Sequence, residues 1–186
     1  MRIDKYLANM NVGSRKEVHL LIKKGIVAVN GVTVKTPKQQ VKESDQVTVN
    51  GDAVAYQKYH YFLLNKPKGV LSATEDHSQP TVISLLAPQD RYQGIVPVGR
   101  LDKDTTGLLL LTNDGQLNHE LLAPNKHVDK IYRAKIAGVA DDETVKTFAV
   151  GMKVVELERI SMCKLTLPAN LKRGEYLKLK LEDIVK

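Results

Sequence analysis

Apolar residues recur at i, i+3, i+4 and i+7 in Ile3, Tyr6, Leu7 and Met10, a spacing that predicts a short helix with one buried face. Ser14-Arg15-Lys16-Glu17 then reads as a capping box, in which the Ser hydroxyl and the Glu carboxylate each meet an amide of the first turn. Val18, Leu21 and Ile22 line a second helix that Gly25 can close in the left-handed conformation. From Ile26 the period changes to two. Ile26-Val27-Ala28-Val29 and Val32-Thr33-Val34 flank Asn30-Gly31, a hairpin with a favoured turn, and Val47-Thr48-Val49 offers a third strand. Two helices and a small sheet are therefore expected, followed over residues 51–58 by a linker that holds Gly51, Asp52 and Lys58.

Longer apolar runs follow. His60-Tyr61-Phe62-Leu63-Leu64 predicts a strand, Lys66-Pro67-Lys68-Gly69 a turn, and Val70-Leu71-Ser72-Ala73-Thr74 a returning strand. Asp76 to Pro80 predicts a loop, with Thr81 capping a short helix that reaches Leu86. The polar stretch Gly99-Arg100-Leu101-Asp102-Lys103-Asp104-Thr105-Thr106 runs into Gly107 and four leucines, 108–111, and stops at Asn113-Asp114-Gly115. Such a run reads as a strand buried on both faces, which would hold the preceding loop rigidly. A short helix should end before Pro124, Lys130-Ile131-Tyr132-Arg133-Ala134-Lys135-Ile136 should be a strand with Lys130, Tyr132 and Ala134 on one side, and Asp141 should open a helix through Val145, Phe148 and Ala149.

At 186 residues and 42% hydrophobic, the chain can bury one good core plus a small module. A net charge of +7 favours an anionic partner, for which nucleic acid is the simplest candidate. Residues 1–24 hold six basic side chains, Arg2, Lys5, Arg15, Lys16, Lys23 and Lys24, against Asp4 and Glu17. Arg15, Lys16, His19 and Lys23 fall away from the apolar face in a stripe spaced for phosphates, although an ordinary solvated helix face has the same composition. Cys163 is the lone cysteine, which excludes an internal disulfide framework and a four-cysteine zinc site and fits a reducing cytoplasm. No run approaches the ~18–20 apolar residues of a membrane span, and Arg2, Asp4 and Lys5 argue against a secretory signal, so a cytoplasmic chain without a membrane partner is expected.

Asp102 is the candidate for chemistry. It follows Leu101 and lies two residues after Arg100, which would hold its carboxylate near a guanidinium at the lip of a packed sheet. An Arg-Asp pair that merely tightens the turn is the plainer alternative. Asp102-x-Asp104-x-x-Gly107 matches the opening of a calcium loop, but Asn113 stands where the bidentate Glu belongs, so that reading fails. His119-Glu120 lacks the second histidine of a zinc protease, that place being Ala123, and His77 has no other ligand at useful spacing. A glycoside hydrolase would need a second carboxylate suitably placed, and Asp104 is only two residues away.

The stretch Gly99 to Gly115 resembles the catalytic motif of bacterial ribosomal RNA pseudouridine synthases, in the branch that modifies small-subunit rRNA. Tyr61 to Gly69 is similar to that family's first motif and Lys130 to Ala134 to its tyrosine strand. Ile3-Asp4-Lys5-Tyr6-Leu7, Ser14-Arg15-Lys16 and Gly25-Ile26-Val27 through Asn30-Gly31 resemble an RNA-binding domain that a small-subunit ribosomal protein shares with several RNA-modifying enzymes.

The resemblance implies an α+β chain: an S4-like RNA-binding domain, residues 1–57, made of two helices and a small sheet, then a mixed, mainly antiparallel-sheet pseudouridine synthase domain, residues 58–186. It implies isomerisation of a specific uridine in 16S rRNA with no cofactor and no metal. The uridine is flipped out, and Asp102 acts as nucleophile at C1′ or as base at C2′. Around it, Leu101 supports the loop, Arg100 orients the loop or a phosphate, Tyr132 packs on the base and Lys130 makes a secondary RNA contact. Arg2, Lys5, Ser14, Arg15, Lys16, Lys23, Lys66 and Lys68 would contact RNA. The implied partner is structured ribosomal RNA within a pre-ribosomal particle, met by a monomer.

One departure stands out. The family's motif Glu-Gly-x-x-His-Gln-x-x-Arg-Met is missing, while Ala149 to Ile160 resembles the segment that normally follows it, and Leu165 to Leu167, Leu171 to Tyr176 and Glu182 to Ile184 resemble the usual C-terminal end. An internal block is therefore absent near residues 148–151, and with it central strands and a basic partner for the carboxylate. If the polypeptide itself lacks the block, a non-catalytic RNA-binding or ribosome-assembly role becomes the alternative function. The intact core patterning of the flanks favours a natural polypeptide that carries further residues there. Mass spectrometry of the intact natural protein should then give a value above 20.7 kDa; a mass of 20.7 kDa would mean a true deletion.

Overall fold

The computed structural model describes residues 1–137 and 154–185. The helix expected from Asp141 and the junction near residues 148–151 lie outside the described residues. The chain divides into two compact units, one of Met1–Tyr59 with Ala87–Gln93, the other of His60–Leu86 with Gly94–Lys186.

In the first unit, helix α1 (Ile3–Asn9) and helix α2 (Arg15–Lys23) bury Ile3, Tyr6, Leu7, Val18 and Ile22 against a sheet. The capping box forms, with Ser14 Oγ accepting from the Glu17 amide and Glu17 Oε2 accepting from the Ser14 amide. Strands β1 (Val27–Val29), β2 (Val32–Thr33), β3 (Val47–Val49) and β4 (Asp52–Ala53) pair antiparallel in the order β2-β1-β3-β4. Asn30 and Gly31 both take positive φ, as do Asn50 and Gly51, so two hairpins close with the turn geometry that matches strand twist. The second hairpin corrects the expected linker: Asp52 and Ala53 are sheet residues, and Val54 accepts a hydrogen bond from the Tyr6 hydroxyl at 2.8 Å.

The second unit is built on β5 (Tyr61–Lys66), β6 (Val96–Pro97), β7 (Thr106–Thr112), β8 (Lys130–Ile136), β9 (Val154–Met162), β10 (Leu165–Thr166) and β11 (Tyr176–Leu179). The order is β10-β9-β7-β5-β11, with β6 branching from β7 and β8 from β9. Among the described strands every pairing is antiparallel except β7 with β9. The architecture is therefore α+β, a small helical module with its own sheet and a mixed, mainly antiparallel sheet. Leu108 to Leu111 are all fully buried and pair with Asn65 back to Phe62, so the four leucines form the inner strand that their continuous apolarity predicts. Helix α3 (Gly115–Leu122) follows, capped by the Asp114 side chain on the Leu117 amide.

Two local expectations change. Val70 to Thr74 is not a strand, because the segment is held by a single parallel bridge, Leu71 to Thr81, and by the Ser72 side chain. Thr81 precedes a short 3-10 turn (Val82–Leu85) but does not cap it, since its hydroxyl turns back to the Thr74 carbonyl.

Gly107 is the residue that lets β9 join the sheet. Its φ is +101°, and a Cβ there would overlap the backbone carbonyl of Arg159, its partner in the parallel pairing. Gly107→Ala should therefore combine left-handed strain with a backbone collision and cost about 3 kcal/mol. A thermal melt should fall by roughly 6–12 °C; an unchanged melting temperature would show that β9 does not need this approach.

Candidate functional site

The loop of residues 98–105 leaves β6 and enters β7, and its backbone is bonded from the inside almost residue by residue. Val98 N–H donates to Leu110 O at 2.8 Å. The Ser72 hydroxyl accepts from Leu101 N–H at 3.1 Å and donates to Leu101 O at 2.8 Å, while the Leu101 side chain is buried. Thr105 N–H donates to Asp102 O at 3.1 Å, and Gly69 N–H to Lys103 O at 2.9 Å.

Beneath all of this sits Lys66. The sequence expectation made it an RNA contact, and the structure corrects that, because Lys66 has no exposed surface. Its ammonium donates to Thr105 O at 2.9 Å, Asp102 O at 3.0 Å, and Pro67 O and Lys103 O at 3.2 Å. Burial lowers its pKa below the usual lysine value, and the nearby carboxylates of Asp104 and Asp102 act in the opposite direction. With no carboxylate bonded to it, the charge is satisfied by backbone dipoles that converge on one point.

The result is a fixed loop whose Asp102 side chain is exposed and makes no hydrogen bond or ion pair with the described residues. Arg100 is exposed too, and the expected Arg100-Asp102 pair does not form among the described residues. Asp104 lies 3.9 Å from the exposed ammonium of Lys68. Tyr132, 41% exposed, pairs in register with Arg159, which pairs in turn with Gly107. Two strand spacings, ~10 Å, thus separate Tyr132 from the strand end where the Asp102 loop enters. Lys130 turns its ammonium onto the nearby Val128 carbonyl at 3.2 Å.

Arg159 is a buried residue that sequence reasoning missed. Its Nε donates to Leu108 O at 2.6 Å, and Nη2 finds no partner among the described residues. Burial lowers the pKa of its guanidinium, and Tyr132 beside it opposes the shift. No sequence signal separates it from the exposed basic residues of the same ribbon.

On the helix pair, Lys5, Arg15, Lys16 and Lys23 are exposed as their periodicity predicts. The Ser14 hydroxyl is engaged in the cap. Arg2 is organised by Asp4, a buried carboxylate that accepts from Arg2 at 2.7 and 3.1 Å, from the Lys5 amide at 2.8 Å, and lies 3.2 Å from His19 Nε2. Burial acts to raise the Asp4 pKa, and the bonds from His19, Arg2 and the Lys5 amide outweigh it and leave it lowered. Arg2 and His19, each about half exposed, are thus held side by side by one anchor.

Comparison with known proteins agrees with this architecture. Residues 60–180 match the RNA pseudouridylate synthase family and residues 1–47 match the S4 domain. An uncharacterized RNA pseudouridine synthase of Bacillus subtilis is 40% identical, over 99% of this chain and 97% of that one. Ribosomal large subunit pseudouridine synthase B of the same organism is 41% identical over 83% of this chain and 63% of its own length. Ribosomal small subunit pseudouridine synthase A of Salmonella typhimurium is 31% identical over 99% and 98%. A crystal structure of a pseudouridylate synthase superposes with a TM-score of 0.60 at 27% identity, covering 99% of this chain and 98% of that one. The chain belongs to the RNA pseudouridylate synthase family, enzymes that isomerise uridine within RNA. The alignment with the first Bacillus subtilis relative runs over 231 positions, 45 more than this chain has residues, so at least that many residues of the relative have no counterpart here.

Replacing Lys66 with Met should leave carbonyls of the loop without donors and destabilise the fold by roughly 2–4 kcal/mol. Amide exchange should quicken first at Gly69 and Thr105, whose bonds lie in the bracing; uniform protection across the domain would show that Lys66 does not hold the loop.

Proposed function

We propose that this chain converts a uridine of small-subunit ribosomal RNA to pseudouridine, with Asp102 as the reacting carboxylate. The observation that carries the reading is the contrast within one loop: a backbone bonded on its inner side at Val98, Leu101, Asp102, Lys103 and Thr105, and one carboxylate left outside with no partner among the described residues. A group placed in this way keeps its position without spending its charge on the protein. The small-subunit assignment is supported by the Salmonella small-subunit relative, which aligns end to end with this chain at 31% identity.

The target must leave its stack, because the glycosidic bond is inaccessible within a helix. Asp102 then acts at the sugar, as nucleophile at C1′ or base at C2′, and the N1–C1′ bond breaks. The uracil rotates and C5 bonds to C1′, which displaces the Asp102 carboxylate in the nucleophilic route; in the base route C5 adds to the glycal and the proton returns to C2′. The C5 proton leaves and N1 takes up a proton. Atoms and electrons balance within the nucleotide, so the step needs no oxidant or reductant. Tyr132 packs on the base, Leu101 and its Ser72 tie hold the loop, Arg100 meets a phosphate, and Lys130 adds an outer contact. Arg2, Lys5, Arg15, Lys16 and Lys23 contact phosphates of a structured rRNA in a pre-ribosomal particle, which positions RNA without reading sequence.

One observation favours a second reading. The relative has residues with no counterpart here, and Asp102 has no cationic partner among the described residues; a chain so shortened fits an RNA-binding or ribosome-assembly role. Small-subunit rRNA transcribed with uridine tritiated at C5 separates the two. The wild-type chain should release tritium, and Asp102→Asn should lower the rate by about a thousandfold or more while RNA affinity stays within about twofold. Release that survives Asp102→Asn removes the carboxylate from the mechanism, and binding without release by the wild type establishes the assembly role.

A further inference from the structure

The second unit holds a cleft of about 260 Å³ that the reading above does not use. It is lined by Lys68, Arg133, Lys135 and Arg173 together with Asp104, Glu156 and Glu158. It adjoins the Asp102 loop directly. Asp104 belongs to both, Thr106 is the first residue of β7 after the loop, and the turn that carries Lys68 is bonded to Lys103 through the Gly69 amide.

The four cations are not held alike. Arg173 is fixed, with Nη1 donating to Asn65 Oδ1 at 2.7 Å and Nη2 to Glu158 at 2.8 Å. The others sit loosely opposite carboxylates: Lys135 at 3.6 Å from Glu156, Arg133 at 3.7 Å from Glu158 and Lys68 at 3.9 Å from Asp104. Those distances exceed the 2.7–2.9 Å of a charge-assisted hydrogen bond. The three cationic side chains are 68–72% exposed, and so are Asp104 and Glu156 in large part. Solvated pairs of this kind contribute little to the fold. They keep three cations gathered and individually neutralised beside the loop.

We propose that this cleft binds the phosphodiester backbone of the RNA strand that enters the Asp102 loop, phosphates displacing Glu156 and Asp104 from Lys135 and Lys68, with Arg133 released in the same exchange. The proposal rests on the function inferred above. A phosphate oxygen offers these cations a better partner than a carboxylate 3.6–3.9 Å away, and each exchange releases counterions from the RNA. The carboxylates lower affinity for any stray anion, so that a strand must fill the cleft before the exchange is favourable.

The competing carboxylates give the test its sign. Filter binding of the small-subunit rRNA transcript, across 50–200 mM salt, compares the wild type with three variants. Glu156→Gln should bind about threefold more tightly than Glu182→Gln, which removes the same charge from an equally loose 3.6 Å surface pair with Lys180 outside the cleft. The double variant Arg133→Gln/Lys135→Gln should bind about tenfold more weakly and reduce the salt slope by about two. The proposal falls if Glu156→Gln and Glu182→Gln bind alike or if the slope of the double variant is that of the wild type. A wild type that releases tritium in such a case keeps its function and loses only the cleft; one that binds no transcript loses both.

Discussion

A single buried ammonium organises the catalytic unit. Lys66 stands at the end of β5, where strand pairing stops and backbone carbonyls would otherwise turn to water, and it gathers one carbonyl from its own turn and three from the loop before β7. An ammonium has three donors and no acceptor, so carbonyl dipoles from several directions satisfy it where a single carboxylate would not. The cost of burying the charge is offset only while all of these groups keep their places. Loop and turn are therefore one cooperative piece, and the Asp102 side chain is what that piece presents outward.

The sheet carries the same logic one strand further. Gly107 follows the loop at once, and its missing side chain admits the Arg159 backbone so closely that β7 and β9 run parallel at that point. The Arg159 side chain then covers the Leu108 carbonyl and lies beside Tyr132 on β8. A positive φ at one glycine thus sets how far the tyrosine strand stands from the loop. The relation depends on backbone contact, and side-chain repacking cannot substitute for it.

Much of this was legible in the chain, for identifiable reasons. The helix faces, the capping box and the Asn-Gly turn rest on local rules, and the four leucines show their two-sided burial directly. The pairing of Asp52 and Ala53 is harder to read because Asn50-Gly51 repeats that turn signal before a strand of only two residues, too short to show alternation. Lys66 escapes a local reading for a deeper reason. A lysine beside Pro and Gly has the composition of a surface turn, and the carbonyls that bury it lie 36 to 39 residues away. The Arg100-Asp102 pair does not form among the described residues, and both side chains are exposed. Asp102 stands out as a candidate because it precedes the most recognisable strand.

The two units use carboxylates in opposite ways, and burial decides which. Asp4 is almost wholly buried and bonded by three partners, so Arg2 and His19 are set at fixed places on the helix pair. Moving either would strand a buried charge, which makes the arrangement rigid. Glu156 and Asp104 are solvated and distant from their lysines, so either side chain can leave without exposing an unsatisfied group. The first arrangement holds its cations aimed in one place, and the second holds them weakly enough that their partners can be replaced. The difference follows chiefly from solvent access, since the Asp4 side chain is 6% exposed whereas those of Asp104 and Glu156 are 79% and 69% exposed.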